Sequence, residues 1–295
     1  LADVTDVVGI RVITHFESEV HAVSSLIEKE FEIDWENSVD KGKTLAPESF
    51  GYRSLHYICT LKDKGLEAEN ERFRGLKFEI QIRSILQHAW AEIEHPLGYK
   101  SGQGIPPEFR RRFSRLAGLL EMADQEFGAI RAELQHYESK VRSEIGISPG
   151  EVRIDNITLK AIFDKEVVVR EIDEQLAKKI SVVIKDNDDL LRILSAGLPT
   201  VGISTVAELI KELKQQRELL VFQALARYKS RKLEYLDRGV SVLQLLWVLM
   251  GLKGGEAGIV QGIAAMGLEG GPSSEEFARE VMSLIREFQA RSKRK

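Results

Sequence analysis

The apolar residues at the start of the chain predict a strand followed by a helix. Val7–Ile13 is a continuous apolar run rich in β-branched residues, which predicts a buried strand. Four apolar residues then recur at helical spacing and predict an amphipathic helix: Val20, Val23, Ile27 and Phe31. A polar loop between Asp34 and Phe50 separates these two elements from the next apolar segment.

Two later segments alternate between apolar and polar residues with the period of two that a half-buried strand shows. In Leu55–Leu61, the apolar residues alternate with His56 and Thr60. In Leu76–Arg83, one face is fully apolar and the other carries four polar side chains, Lys77, Glu79, Gln81 and Arg83. Ser84 is placed to cap the helix that follows.

The pattern becomes helical from residue 106 onward. Apolar residues over 106–146 predict one long amphipathic helix: Phe109, Phe113, Leu116, Leu120, Phe127, Ile130, Leu134, Tyr137 and Val141. Residues beyond 150 read as a succession of helices, two of which open at pairs spaced as capping boxes, Thr205 with Glu208 and Ser273 with Glu276. Gly251–Pro272 is rich in Gly and Ala and is expected to be a tight helical connection or a mobile loop.

These elements predict an α+β fold with a mixed sheet in the first part of the chain and a mainly α-helical C-terminal region. We divide the chain into three parts on this basis. Residues 1–105 form the α+β domain, residues 106–146 the long helix, and residues 147–295 a helical region without an assigned role.

Composition and charge narrow the class of protein. The chain has 295 residues, of which 43% are hydrophobic, so intrinsic disorder of the whole chain is excluded. A net charge of -4 provides no global positive field for nucleic acid or anionic lipid. The single cysteine, Cys59, excludes a disulfide framework within one chain and favours a reducing compartment. Because Val240–Leu252 is too short to span a bilayer and the N-terminus does not resemble a secretory signal, we expect a cytoplasmic protein without membrane attachment.

Two carboxylates in this pattern are candidate metal ligands. Asp6 directly precedes the first predicted strand, and Glu79 lies on the polar face of the Leu76–Arg83 strand. If these strands are neighbours, the pair suits Mg²⁺, which takes one or two protein carboxylates together with water and phosphate oxygens. The alternative is a polar strand face that simply contacts solvent.

A second candidate group lies in Phe50–Tyr57, at the start of the first alternating strand. Gly51 permits close backbone approach, and Tyr52 offers a face for stacking. Arg53 and His56 offer hydrogen-bond donors for a phosphate or a base. The alternative is that the tyrosines are core aromatics and Arg53 is a surface charge.

A third candidate group lies on the helix that follows Ser84. His88, Glu92 and His95 are spaced so that they share one helical face, which suits a zinc or other transition-metal site. The spacing differs from the His-Glu-x-x-His pattern of zinc proteases. We favour the alternative, a hydrogen-bonded polar face.

Four motifs, in this order, strongly resemble the synthetase domain of RelA/SpoT alarmone enzymes. They are Asp6–Ile13, Gly51–His56, Phe78–Arg83 and Gln87–His95. Four motifs in register over about a hundred residues are much more specific than any one of them. The resemblance implies a nucleotidyltransferase-like mixed sheet flanked by helices. It also implies transfer of pyrophosphate from ATP to the 3′ hydroxyl of GDP or GTP, which yields AMP and (p)ppGpp.

The resemblance further implies roles for individual residues. Asp6 would hold Mg²⁺ on the ATP phosphates, and Glu79 would help to bind the metal and accept the proton of the attacking hydroxyl. Tyr52 would stack on the guanine. Further contributions to nucleotide positioning would come from Arg53, His56, Gln81 and Arg83. Such roles agree with a reaction that is catalysed mainly by alignment and charge neutralisation.

The sequence departs from the family pattern in two places. It begins five residues before Asp6, where relatives carry an Arg- and Lys-rich segment that grips ATP, so a truncated N-terminus and a different mode of holding ATP both stay open. Ala46–Phe50 replaces the Pro-Lys-x-Asn of many relatives, and Lys41 and Lys43 are candidate sources of the missing positive charge. No histidine–aspartate hydrolase sequence is present, and we expect synthesis without hydrolysis.

Two other functional hypotheses stay open. A toxin-type relative would pyrophosphorylate the 3′ end of tRNA, although the overall acidity of the chain weighs against an RNA substrate. A catalytically inert nucleotide-binding module is the second. The region beyond residue 150 lies outside the resemblance, so regulation, oligomerisation and recognition of a larger acceptor are all open roles for it, and we expect a homo-oligomer.

Overall fold

The computed structural model describes residues 5, 8–40, 54–62, 68–99, 106–229, 232–268 and 273–293. It divides into two compact units, Leu1–Leu134 and Gln135–Lys295, which we call the sheet unit and the helical unit.

The sheet unit is built on a five-stranded mixed sheet. Its strands are β1 (Gly9–Thr14), β2 (Phe31–Ile33), β3 (Val39–Asp40), β4 (Leu55–Leu61) and β5 (Phe78–Ser84). Its helices are α1 (Glu17–Glu30), α2 (Ile85–Tyr99) and α3 (Pro107–Glu144), and Ala68–Phe73 is a 3₁₀ turn. The boundary between the two units falls within α3.

The strand order is β1-β5-β4-β2, and β3 pairs with β4 beside β2. β1 and β5 are parallel, whereas β4 is antiparallel to β2, β3 and β5. The predicted mixed sheet is therefore confirmed. β2 and β3 were not predicted, since strands of three and two residues are too short to show alternation.

The two faces of the sheet differ in character. One face packs against α1 and forms a core of buried side chains: Val20, Ile27, Tyr57, Cys59, Ile80 and Ile82. The period of two that places Ile80 and Ile82 in this core places Glu79 and Gln81 on the other face. The candidate catalytic groups thus lie on the sheet face that α1 does not cover.

The side chain of Asp124 on α3 joins three elements of the sheet unit. Its carboxylate accepts a hydrogen bond from the Glu17 backbone N–H at 3.1 Å and one from the Ser84 hydroxyl. Ser84 also caps α2 as predicted, because its hydroxyl accepts from the Gln87 N–H at 3.2 Å while the Gln87 side chain accepts from the Ser84 N–H at 3.0 Å. Asp124 thereby ties α3 to the starts of α1 and α2.

The helical unit contains seven helices and a pair of short parallel strands in its described residues, besides the end of α3. They are α4 (Asn156–Lys165), α5 (Val167–Ile180), β6 (Val183–Lys185), α6 (Asp188–Gly197), α7 (Val206–Gln215), α8 (Arg217–Tyr228), β7 (Tyr235–Asp237), α9 (Val240–Ala265) and α10 (Ser274–Ser292). The predicted helical C-terminal region is confirmed. Thr205 and Glu208 form the predicted capping box, and Ser273 accepts from the Glu276 N–H.

α9 corrects one expectation about the glycine-rich segment. Helical structure continues from Gly251 to Ala265 with a kink at Gly255, where φ is 62°. The glycines here permit close packing, since a Cβ on Gly251 would lie 2.7 Å from the Ile285 side chain. Within the described residues, α9 is the one helix long and apolar enough to cross a membrane, and 56% of its most apolar stretch is buried inside the protein, as in a helix at a hydrophobic core.

Candidate active site

A continuous chain of hydrogen bonds crosses the open face of β4 and β5. Its members are Ser54, Arg83, Gln81, Glu79 and His56. The antiparallel register explains the grouping, because it pairs Gln81 with His56 and Glu79 with Ile58. Three of the four residues that sequence analysis placed on the polar strand face therefore belong to one network.

Glu79 is held at both of its carboxylate oxygens. Oε1 lies 2.5 Å from the Nδ1 atom of His56, and Oε2 accepts a hydrogen bond from the Gln81 amide at 2.6 Å. The side chains of Glu79 and His56 are 18% and 12% exposed, respectively. Glu79 is thus both oriented and within reach of a ligand on the open face of the sheet.

Arg83 determines how the Gln81 amide is oriented. Its Nη2 atom donates to Gln81 Oε1 at 2.7 Å, and its Nε atom donates to the Ser54 hydroxyl at 3.0 Å. Because the Gln81 oxygen accepts from a guanidinium, its NH₂ group is the end that faces Glu79. Arg83 is almost fully buried, so its direct contribution here is to position Gln81 and, through it, Glu79.

Arg11 on β1 is a charged residue that the sequence analysis did not single out. It is the register partner of Gln81, and its guanidinium donates to Glu92 on α2 at 2.7 Å. The sequence did offer a signal for Arg11, because it is the one charged residue within β1.

Glu92 also lies 3.8 Å from the Nδ1 atom of His88. Across the part of the chain that the structure describes, no cluster of three or more His, Cys, Asp or Glu residues suited to a metal is present.

Lys77, the fourth residue of the predicted polar face, binds Asp34 and not the side chains around Glu79. Its ammonium donates to Asp34 at 2.7 Å. This contact, with a further hydrogen bond from Asn37, lowers the pKa of Asp34 to about 2. Lys77 therefore joins β5 to the segment after β2, and it takes no part in the hydrogen-bond chain around Glu79.

The α1-facing side of β4 offers no reactive group. Tyr57 donates its hydroxyl proton to Glu28, and burial raises the pKa of Tyr57 above its usual range. Burial also raises the pKa of the Cys59 thiol to about 11, so Cys59 stays protonated and unreactive at neutral pH.

Five of the predicted site residues lie outside the described residues. These are Asp6, Lys41, Lys43, Tyr52 and Arg53. Their roles stay predictions. The described residues bring together Glu79, His56, Gln81 and Arg83 in a site built on a mixed sheet, with a carboxylate fixed by two neighbouring side chains.

Comparison with known proteins agrees with this description. Residues 1–104 match the family model described as the region found in RelA / SpoT proteins. Among curated proteins, the chain is similar to two from Bacillus subtilis. It is 28% identical to GTP pyrophosphokinase YjbM over 137 residues, which cover 45% of this chain and 61% of YjbM. It is 29% identical to GTP pyrophosphokinase YwaC over 129 residues, which cover 44% of this chain and 59% of YwaC.

Solved structures that resemble the chain include two of similar coverage. Small alarmone synthetase 1 from Bacillus subtilis matches with 28% identity and a TM-score of 0.37 over 45% of this chain and 65% of that one. The protein smu.1046c from Streptococcus mutans matches with 26% identity and a TM-score of 0.37 over 46% of this chain and 65% of that one.

Residues 1–104 thus match the RelA/SpoT family that the four motifs resemble. The chain matches about three fifths of the length of the curated relatives. The family model ends at residue 104, before the start of the helical unit.

Proposed function

We propose that this chain synthesises (p)ppGpp by transferring pyrophosphate from ATP to the 3′ hydroxyl of GDP or GTP. The proposal is supported by the RelA/SpoT match over residues 1–104 and by the names of its relatives, which are GTP pyrophosphokinases. The observation that carries it is the fixed carboxylate of Glu79 on the open face of the sheet.

Glu79 is the proposed general base. A base must lie within hydrogen-bond reach of the proton that it removes, so its orientation matters as much as its basicity. His56 and Gln81 hold one oxygen each, which restricts rotation of the carboxylate before substrate binds. Arg83 supports this arrangement through Gln81 and acts as a positioning residue.

The residues present are compatible with Mg²⁺, which prefers oxygen ligands and one or two protein carboxylates. Glu79 supplies one partly exposed carboxylate, and Asp6, which precedes β1 in the sequence, is the proposed second ligand. Bound there, the ion would neutralise negative charge on the ATP phosphates.

The other substrate contacts are carried over from the family resemblance. Tyr52 is proposed to stack on guanine, and Arg53, Lys41 and Lys43 are proposed to contact phosphates. A cytoplasmic location belongs to the same proposal, because ATP and guanine nucleotides are substrates of that compartment and the one cysteine is a buried thiol.

The test is a transfer assay with γ-labelled ATP and Mg²⁺, supplied with GDP, GTP or bulk tRNA as the acceptor. We expect label in a guanosine product. Glu79→Gln should reduce the rate by about 10²- to 10⁴-fold, as expected for the loss of a general base. Glu32→Gln is the matched control, since Glu32 lies exposed on β2 of the same sheet, and it should keep the wild-type rate.

Three outcomes would contradict the proposal in whole or in part. Label that reaches only the tRNA 3′ end would mean that the acceptor is wrong while the chemistry is right. No transfer to any acceptor, by a chain whose circular dichroism spectrum shows the expected helix content, would indicate a nucleotide-binding module instead. An active Glu79→Gln variant would exclude Glu79 as the base.

A further inference from the structure

α2 supplies a carboxylate to the open face of the sheet, Glu92, that the proposed function has not used. Glu92 accepts a hydrogen bond from the Nη1 atom of Arg11 at 2.7 Å. Arg11 and Gln81 are register partners on the parallel strands β1 and β5, so their side chains lie on the same face of the sheet. Glu92 therefore holds a cation on the face that carries Glu79.

The strand order places Arg11 on the side of the site where the proposed function requires ATP. β5 lies between β1 and β4 in the sheet. The residues proposed to contact the guanine nucleotide lie on β4 or just before it, whereas Asp6, the proposed metal ligand at the ATP phosphates, precedes β1. Because the two substrates have to meet beside Glu79 on the central strand, the acceptor belongs on the β4 side and ATP on the β1 side.

β1 leaves room for a ligand beside Glu79. The residue of β1 that pairs with Glu79 is Gly9. Among the described residues, no atom lies within 4 Å of the position that a Cβ on Gly9 would take. Arg11 is the next residue of β1 on this face, about 7 Å further along the strand, which an arginine side chain can span. A ligand in the space beside Glu79 is thus within reach of Arg11.

The hydrogen bond to Glu92 restricts the conformations of Arg11. The Arg11 side chain is 43% exposed, and its hydrogen-bond partner among the described residues is Glu92. An exposed arginine without a partner populates many rotamers and loses that freedom when a ligand binds. The carboxylate fixes one edge of the guanidinium and leaves its other N–H groups and its flat faces available to a ligand.

We propose that Glu92 is a positioning residue for ATP. Through its hydrogen bond it holds the Arg11 guanidinium at the β1 side of Glu79, where Arg11 contacts bound ATP. This inference rests on the proposed function. The side chains of Arg11 and Glu92 are 43% and 55% exposed, so their pair contributes little to folding stability, and its effect appears in the binding of ATP.

The first test measures KM for ATP and KM for GDP in the transfer assay. Glu92→Ala should raise KM for ATP about two- to fivefold, while kcat and KM for GDP keep their wild-type values. Glu92→Gln keeps a side-chain oxygen that accepts from Arg11, so it should recover most of the affinity for ATP. Glu30→Ala is the matched control and should change neither KM, because Glu30 lies exposed at the end of α1, which covers the other face of the sheet.

A double-mutant cycle tests whether Glu92 acts through Arg11. Arg11→Ala should raise KM for ATP at least about tenfold, as expected for the loss of a charged hydrogen-bond donor. In a chain that already carries Arg11→Ala, Glu92→Ala should have no further effect on KM for ATP. Since both side chains are exposed, each variant should keep the wild-type circular dichroism spectrum and Tm.

Three results would overturn this inference while the proposed function stands. They are an unchanged KM for ATP in Glu92→Ala, a lowered KM, which would mean that Glu92 withholds Arg11 from ATP, and an equal effect of Glu92→Ala with and without Arg11.

Calorimetric binding of a non-hydrolysable ATP analogue with Mg²⁺ separates this inference from the proposed function. If the wild type transfers no label but binds the analogue more tightly than Glu92→Ala does, the proposed function fails and the role of Glu92 is supported. If the wild type neither binds the analogue nor transfers label, both are overturned.

Discussion

The two units of this chain differ in how many apolar side chains they bury. Among the described residues, the helical unit has a core cluster of forty buried apolar side chains, whereas the cluster between the sheet and α1 has six. The second face of the sheet carries a row of hydrogen-bonded polar side chains that includes the partly exposed carboxylate of Glu79. A face lined with hydrogen-bonded polar side chains cannot also be a hydrophobic core, and the sheet unit buries less apolar surface as a result.

Two hydrogen-bonded carboxylates, one in each unit, bind different kinds of groups. In the sheet unit, Glu79 contacts the side chains of His56 and Gln81. In the helical unit, the most buried carboxylate serves a helix end: Asp173 accepts from the Gly239 N–H at 2.7 Å and the Ser241 N–H at 2.9 Å, at the start of α9. Asp173 thus fixes a helix start, as Asp124 does in the sheet unit, whereas Glu79 belongs to a network of side chains.

The largest effect is expected in the core of the helical unit. Leu245 on α9 is fully buried, and Leu245→Ala should lower the free energy of unfolding of that unit by about 2–5 kcal/mol through the cavity it leaves. Leu252→Ala on the same helix is the control, because Leu252 is 41% exposed. Urea unfolding followed by hydrogen exchange of peptides from each unit measures the change. Equal effects of the two substitutions would mean that α9 is not the centre of the core.

Substitutions in the hydrogen-bond network around Glu79 should cause the next largest loss of stability. Arg83→Lys replaces a planar guanidinium, which reaches Gln81 and Ser54 together, with an ammonium that cannot hold the same two contacts. We expect unfolding of the sheet unit to become easier by about 1–3 kcal/mol. Arg11→Lys should cost less than about 1 kcal/mol, since its pair with Glu92 is exposed. Chemical denaturation of both variants measures the two losses of stability. Equal losses would mean that the contacts of buried Arg83 stabilise the sheet unit no more than the exposed pair of Arg11.

A helix cap in the helical unit should have a smaller effect. Thr205→Ala removes the hydroxyl that accepts from the Glu208 N–H at the start of α7, and should cost about 1 kcal/mol. Thr205→Ser keeps a capping hydroxyl and should recover most of the loss. The melting temperatures of the two variants and the wild type measure the difference. Similar melting temperatures for Ala and Ser would mean that the capping box does not stabilise α7.

The smallest predicted effects are changes of folding stability with pH, which have opposite signs in the two units. In the sheet unit, the pKa of Asp34 is lowered from 3.8 to about 2, so its stabilising contribution is complete above pH 4 and is lost as the pH falls towards 2. In the helical unit, burial raises the pKa of Glu166 above its usual 4.5. The ionisation of Glu166 therefore lowers the stability of the helical unit as the pH rises from 4.5 through the raised pKa.

Two variants separate these effects. The stability difference between wild type and Asp34→Asn should shrink as the pH falls from 4 to 2. The wild type should lose stability relative to Glu166→Gln as the pH rises above 4.5. Urea unfolding across a pH series measures both differences. Differences that change in the same direction would contradict the opposite causes of the two pKa shifts.

Much of the fold follows from local patterns. Alternation predicted β4 within the bounds that the structure has, and helical spacing predicted α1 and α3 to within a few residues. Patterns failed where an element was short, as for β2 and β6, or where glycine had a packing role, as in α9. Gly251 lies against Ile285 of α10, a contact distant in sequence that composition cannot reveal.

The candidate site was predictable in its residue types and only partly in its contacts. The alternation of β5 placed Glu79, Gln81 and Arg83 on one face, and the family motifs gave them a role. The same alternation grouped Lys77 with them, although Lys77 binds Asp34. Alternation specifies the face of a strand, whereas the partner of each side chain depends on which strand lies alongside and in which register.

By itself, the sequence determined which residues alternate, which helices are amphipathic, and which motifs of the first hundred residues resemble a RelA/SpoT domain. These are properties of neighbouring positions along one chain. Only the tertiary structure decided that Glu79 would be held between His56 and Gln81, and that apolar side chains of α3 such as Leu116 and Phe127 would stay exposed. Those outcomes depend on strand register and on which helix face binds the sheet, and both are set by packing between residues far apart in sequence.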